Sequence, residues 1–162
     1  MTEILLIIPI GYLLLASIPL VLTDIREHRL PNRFTYPAIL LAFAGTGFAA
    51  LSQGAYLELI SAHLSSTATF GIGYLLAKYA SVGMGDVKLI TATNHLLAWF
   101  SPWLVLFALT ASFVLASLVS SLGLLSRKIS WQSPVAMGPY LLAGFFMFVG
   151  LPAAEITVVA LS

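Results

Sequence analysis

Asp24 and Asp86 are the residues of this chain best placed to do chemistry. Asp24 stands in Thr23-Asp24-Ile25-Arg26-Glu27-His28-Arg29-Leu30-Pro31-Asn32, directly after an uncharged apolar run. Asp86 stands in Val82-Gly83-Met84-Gly85-Asp86-Val87-Lys88-Leu89, directly before another. Ionisable groups at membrane depth cost free energy, so they are rare where no function or partner retains them. These two are among only six acidic residues in 162. Two carboxyls held close together cannot both ionise cheaply, so they share a proton and titrate as a pair. The ionised member can activate water while the protonated member polarises a carbonyl, which is the chemistry of amide hydrolysis. Helix dipoles suggest how the roles divide: Asp86 at a helix start is favoured as the anion, and Asp24 at a helix end as the neutral acid. On that basis Asp86 is expected to be the general base and Asp24 the general acid.

The neighbours have physical uses of their own. Gly83 and Gly85 can take positive φ and allow close backbone approach, so Gly-Met-Gly-Asp can turn sharply and offer N–H groups near the carboxylate. Lys88 lies about 200° around a helix from Asp86 and is expected to snorkel toward headgroups. Leu30-Pro31-Asn32 stops the first helix, because proline biases its predecessor away from the α region. Arg26, Arg29 and Arg33 line this loop and would meet anionic lipid or an acidic substrate segment equally well. The plain alternatives are that Asp24 pairs with Arg26 or Arg29 as a helix-end anchor and that Asp86 caps its own helix. His28 reads as a solvated loop residue. His63 and His95 read as isolated polar contacts between helices or near an interface, and no metal set emerges. Thr91 and Asn94 are expected to hydrogen-bond between helices, and Gly45, Gly47, Gly71 and Gly73 to mark close helix packing.

The elements that must position the aspartates are membrane helices. The chain is 60% hydrophobic and 8% charged, with a mean hydropathy of +1.02, which excludes a soluble domain. Uncharged stretches cover 4–22, 34–57, 59–77 and 129–154, and a span needs about 20 residues. The stretch 89–126 is uncharged for 38 residues, too long for one crossing, and Ser101-Pro102 is the natural turn. Six helices are therefore expected, at about 4–23, 35–52, 58–79, 87–99, 103–125 and 136–160. The first is read as a retained span, since no Lys or Arg precedes Arg26. All seven basic residues fall in the odd connections: Arg26, Arg29, Arg33, Lys78, Lys88, Arg127 and Lys128. The positive-inside rule then puts those connections, and both aspartates, in the cytoplasm, with both termini on the opposite side. The fold expected is an all-α, six-helix membrane bundle forming one domain over 1–162. With no cysteine, disulfides and thiolate metal sites are excluded. A net charge of +1, made of membrane-flanking residues, gives no reason to expect nucleic acid as a partner.

Asp24-x-Arg26-x3-Leu30-Pro31-Asn32, followed by Gly83-x-Gly85-Asp86-x-Lys88-Leu89, resembles the type IV prepilin peptidases, the Gly-x-Gly-Asp class of membrane aspartyl proteases. Ser133-Pro134-Val135-Ala136-Met137-Gly138-Pro139-Tyr140 looks like that family's proline–glycine–proline start to its last span. The resemblance implies a bacterial inner-membrane endopeptidase without a cofactor. Asp24 and Asp86 would be the catalytic pair. Gly83, Gly85, Lys88, Arg26, Pro31, Asn32, Gly138 and Pro139 would support them. Its partners would be membrane lipid and a prepilin or pseudopilin, cut on the cytoplasmic side just before the hydrophobic helix. Larger members carry an N-terminal cytoplasmic region with paired cysteines and also methylate the new N-terminus. This chain looks like the short, peptidase-only form found with tight-adherence (Flp) pili, so methylation is not expected. Presenilin-type relatives pair Gly-x-Gly-Asp with Tyr-Asp and Pro-Ala-Leu, which are absent here. From the residues alone, a small proton- or cation-coupled carrier is the alternative. It would place its carboxylates near the bilayer midplane and show a repeat between halves. Neither is seen.

Overall fold

The computed structural model describes residues 4–80, 82–127, 130 and 135–161, and all regular structure among them is helical. Six helices follow in order: α1 (Ile4–Glu27), α2 (Asn32–Gln53), α3 (Tyr56–Tyr79), α4 (Met84–Phe100), α5 (Pro102–Leu125) and α6 (Gly138–Leu161). The expected elements are all present, with three boundaries that matter for the site. The first helix continues to Glu27 rather than ending near 23, so Asp24 lies within its last turn. The second begins at Asn32 rather than 35, and the fourth at Met84 rather than 87, which places Asp86 in its first turn.

Local chemistry sets the ends. Pro31 is extended (φ −66°, ψ 134°) and its carbonyl accepts the N–H groups of Phe34 and Thr35, starting α2. Gly54, at φ 71°, closes α2 through its N–H to Ala50 O at 2.8 Å, a left-handed cap that glycine adopts without strain. Ser101 caps α5 with Pro102 at its first position, so the turn falls where the long uncharged stretch required one.

α4 is the centre of the bundle. It packs against α2, α3, α5 and α6, and Leu89, Ala92, His95, Leu96 and Ala98 are fully buried. Its polar residues therefore meet protein rather than lipid. His95 shares hydrogen bonds with Thr46 Oγ1 at 2.8 Å and Ser66 Oγ at 3.1 Å, and stacks on Phe43 with ring centroids 3.9 Å apart. Asn94 Nδ2 donates to Thr69 Oγ1 at 3.1 Å. Thr91 differs from expectation: its hydroxyl turns back to Val87 O at 2.7 Å, a bond within its own helix. The glycines divide as well. A Cβ on Gly45 would lie 3.1 Å from Leu5 O, and one on Gly73 would lie 2.7 Å from Val87 Cγ1, whereas Gly47 and Gly71 face open space.

Among the described residues three helices, α1 from Leu5, α2 and α5, are long and apolar enough to cross a membrane. The chain is a membrane protein. α4 is not among those three because it is short and carries Thr91, Thr93, Asn94 and His95, whose polarity is matched inside the bundle. α3 is diluted similarly by Ser61, His63, Ser65, Ser66, Thr67 and Thr69.

Candidate active site

The two aspartates arrive from different helices and line one cavity of ≈ 380 Å³. Glu27, His28 and Arg29, the Leu30-Pro31-Asn32 turn and Gly83, Met84 and Gly85 complete its wall. Residues 62 positions apart in sequence are thus gathered at one mouth of the bundle. Asp24 is only 4% exposed. Its Oδ2 accepts the N–H of Gly138, the first residue of α6, at 2.7 Å. The next residue, Pro139, has no N–H of its own and a φ suited to a first helical turn. Asp24 therefore stands at the end of its own helix and against the start of another. The start of α6 supplies the carboxylate with a donated backbone hydrogen bond. The expected division of roles weighed the end of α1 and the start of α4, and not the start of α6.

Asp86 precedes the uncharged stretch that begins at Leu89. Its Oδ1 is buried with no hydrogen-bond partner. Burial first, and the nearby Asp24 charge second, push this carboxyl up to about 6. Those two effects outweigh the start of α4, which on its own would favour the anion.

Leu30 explains why the site needs glycines. It is 7% exposed and passes directly over the first turn of α4. A Cβ on Gly85 would lie 2.7 Å from Leu30 Cβ and 3.1 Å from its carbonyl oxygen. A Cβ on Gly138 would lie 2.9 Å from Asp24 Oδ2 and 3.0 Å from Leu30 Cδ2. A Cβ on Gly83 would lie 2.7 Å from Asp86 Oδ2. The expected positive φ is not found: Gly83 is extended at φ −66°, Gly85 is helical, and among the described glycines only Gly54 has positive φ. These glycines serve close approach rather than an unusual backbone.

The supporting residues sort clearly. Lys88 does not simply snorkel: its Nζ donates to Asn32 Oδ1 at 2.8 Å and sits 4.4 Å above the Tyr36 ring. That ties the turn after Asp24 to the helix carrying Asp86. Arg26 is exposed and lies outside the cavity wall. His28 is exposed at the rim, with φ 49°, its N–H closing α1 onto Asp24 O at 2.9 Å. Ser133 and Pro134 lie outside the described residues. Among the described residues no group of three or more His, Asp or Glu side chains could hold a metal ion. Sequence reasoning missed Tyr36 and the wedge formed by Leu30, since neither carries a local signal beyond its hydrophobicity.

Comparison with known proteins agrees with this geometry. Residues 11–121, which include both aspartates, match the type IV leader peptidase family. The chain is 33% identical over 129 residues to the prepilin peptidase EppA of Methanothermobacter thermautotrophicus, covering 78% of this chain and 32% of that protein. It is also 33% identical over 138 residues to the leader peptidase HopD of Escherichia coli, covering 81% of this chain and 84% of that protein. The chain thus spans about a third of the first relative and most of the second. No solved structure matches it. With most of its length inside the family's pattern and both aspartates on one cavity, this chain belongs to the type IV leader peptidase family.

Proposed function

We propose that this chain is an aspartic endopeptidase that removes the leader of prepilin-like precursors, of the Flp type, at the cytoplasmic face of the inner membrane. The observation that carries the reading is the shared cavity, into which α1 and α4 each bring one carboxyl. Six membrane-crossing helices with both termini outside would put that cavity on the side where all seven basic residues cluster. Asp24, whose Oδ2 accepts the Gly138 N–H, acts as the ionised member and takes a proton from water, and the water oxygen attacks the scissile carbonyl. Asp86, holding the shared proton, donates to the carbonyl oxygen, which gives its unpartnered Oδ1 an acceptor. As the tetrahedral intermediate collapses, the proton on Asp24 passes to the departing amine and the C–N bond breaks. Asp86 recovers its proton from the intermediate, and the pair is reset.

The test is co-expression with a Flp-type prepilin, following the mobility shift of the pilin. Asp24→Asn and Asp86→Asn keep size while removing the carboxylate, and each is expected to lower processing by roughly 10²- to 10⁴-fold at normal membrane levels. Normal cleavage by either variant would make that aspartate structural and end the two-carboxylate reading. If the unaltered chain leaves the precursor intact, the peptidase assignment fails for this substrate class.

A further inference from the structure

A second cavity, of ≈ 320 Å³, begins where the first ends, because Asp86 lines both. Its walls are apolar: Leu76 from α3, Ile90 from α4, Phe113 from α5, and Met137 and Leu141 beside the start of α6. A peptide laid across Asp86 would therefore pass from a mouth lined by Glu27, His28, Arg29 and Asn32 into a surround that is apolar but for Thr69 and Asp86 itself. The volume suits a large side chain, since an apolar cavity of about 150 Å³ already admits benzene. Protein does not seal its whole wall: Leu76 and Phe113, which line it, are 46% and 53% exposed. α3 and α5 make the sparsest contact of any touching pair of helices.

We propose that this cavity is the subsite for the apolar residue immediately after the cut, and that the substrate's hydrophobic helix reaches it from the lipid between α3 and α5. The proposal rests on the leader-peptidase reading and adds to it the side chains that select the substrate. Continuity through Asp86 commits the occupant: a group bound here lies next to the proton donor, on the apolar side of the bond being broken. Ile90, Phe113 and Leu141 then set the size of residue that fits. A hydrophobic pocket of this kind discriminates by volume, at roughly tenfold or more per misfit.

The chain has no cysteine, so an introduced one is unique. Phe113→Cys in the Asp24→Asn background would be co-expressed with a Flp-type prepilin carrying a single cysteine at the first position after the cut. Phe107→Cys, exposed on the same helix but outside the cavity, is the control. After isolated membranes are oxidised with copper phenanthroline, a disulfide to position 113 in about tenfold excess over position 107 is expected. Equal or absent adducts would overturn the subsite, leaving the cavity to a lipid chain. In parallel, Ile90→Phe would be assayed on precursors with Ala, Leu or Phe at that position. The ratio of kcat/KM for Phe over that for Ala is expected to fall by about tenfold or more. A uniform loss across the series also overturns the subsite. Failure of the unaltered chain to cleave any precursor would instead remove the peptidase reading, while the cross-link still judges the subsite.

Discussion

A single methyl group shows how tightly the mouth is built. Gly85→Ala would drive a Cβ against the backbone of Leu30, a contact that no side-chain rotation relieves. The turn carrying Leu30 links α1 to α2, so its displacement moves Asp24 relative to Asp86. Misplacement of reacting groups by about 1 Å can cost 10²-fold. Processing by Gly85→Ala is thus expected to drop by about 10- to 100-fold, measured as pilin conversion at matched protein levels. Leu30→Ala should not restore it, because the obstructing atoms are the Leu30 Cβ and main chain. Titration gives a second prediction at this scale. If Asp86 is the proton donor, the rate falls as pH rises through its titration near 6, where both carboxyls become anions. It falls again in acid as Asp24 takes up a proton. Bound substrate excludes water from Asp86, so the alkaline limb of kcat should lie above that of kcat/KM. A profile with an acid limb alone would remove Asp86 as the donor.

At the scale of elements, two kinds of bond hold the helices in register. The Lys88–Asn32 contact joins α4 to the start of α2. A double-mutant cycle with Lys88→Met and Asn32→Ala should give a coupling of about 1 kcal/mol in thermal unfolding in detergent, and a value near zero would show that the contact is not holding the turn. His95 joins α4 to α2 and α3 far from the aspartates. His95→Ala leaves Thr46 and Ser66 without that partner and empties a packed site. It is expected to cost about 1–3 kcal/mol of stability while the surviving protein still cleaves. Six helices, the turns at Pro31 and Ser101-Pro102 and the two aspartates were legible in the sequence because apolar length, proline, glycine and charge are local signals. The contact between Asp24 and Gly138 was not, since its partners are 114 residues apart and no periodicity encodes the meeting. For the same reason Lys88 reads as a lone anchor in sequence and as a tie to Asn32 in space. Gly85 is legible as a glycine but not as the seat of Leu30.

At the scale of the whole molecule, orientation is the property most open to direct test. Single cysteines replacing Arg29, in the turn between α1 and α2, and Gln53, at the far end of α2, both exposed, can be labelled from either side of the membrane. Position 53 is expected to react in intact cells with an impermeant reagent, and position 29 only after the inner membrane is opened. The reverse pattern would place the aspartates outside. The central position of α4 also has a consequence for biosynthesis. Its polar side chains make this helix a poor solitary passenger into hydrocarbon, since inserted polar groups need partners. Yet Thr46, Ser66 and Thr69, which receive His95 and Asn94, all belong to α2 and α3 and are synthesised earlier. If all six helices cross the membrane, the ribosome delivers α4 to partners made before it, so a chain halted after α4 should keep it embedded, and one lacking α3 should let it slip out.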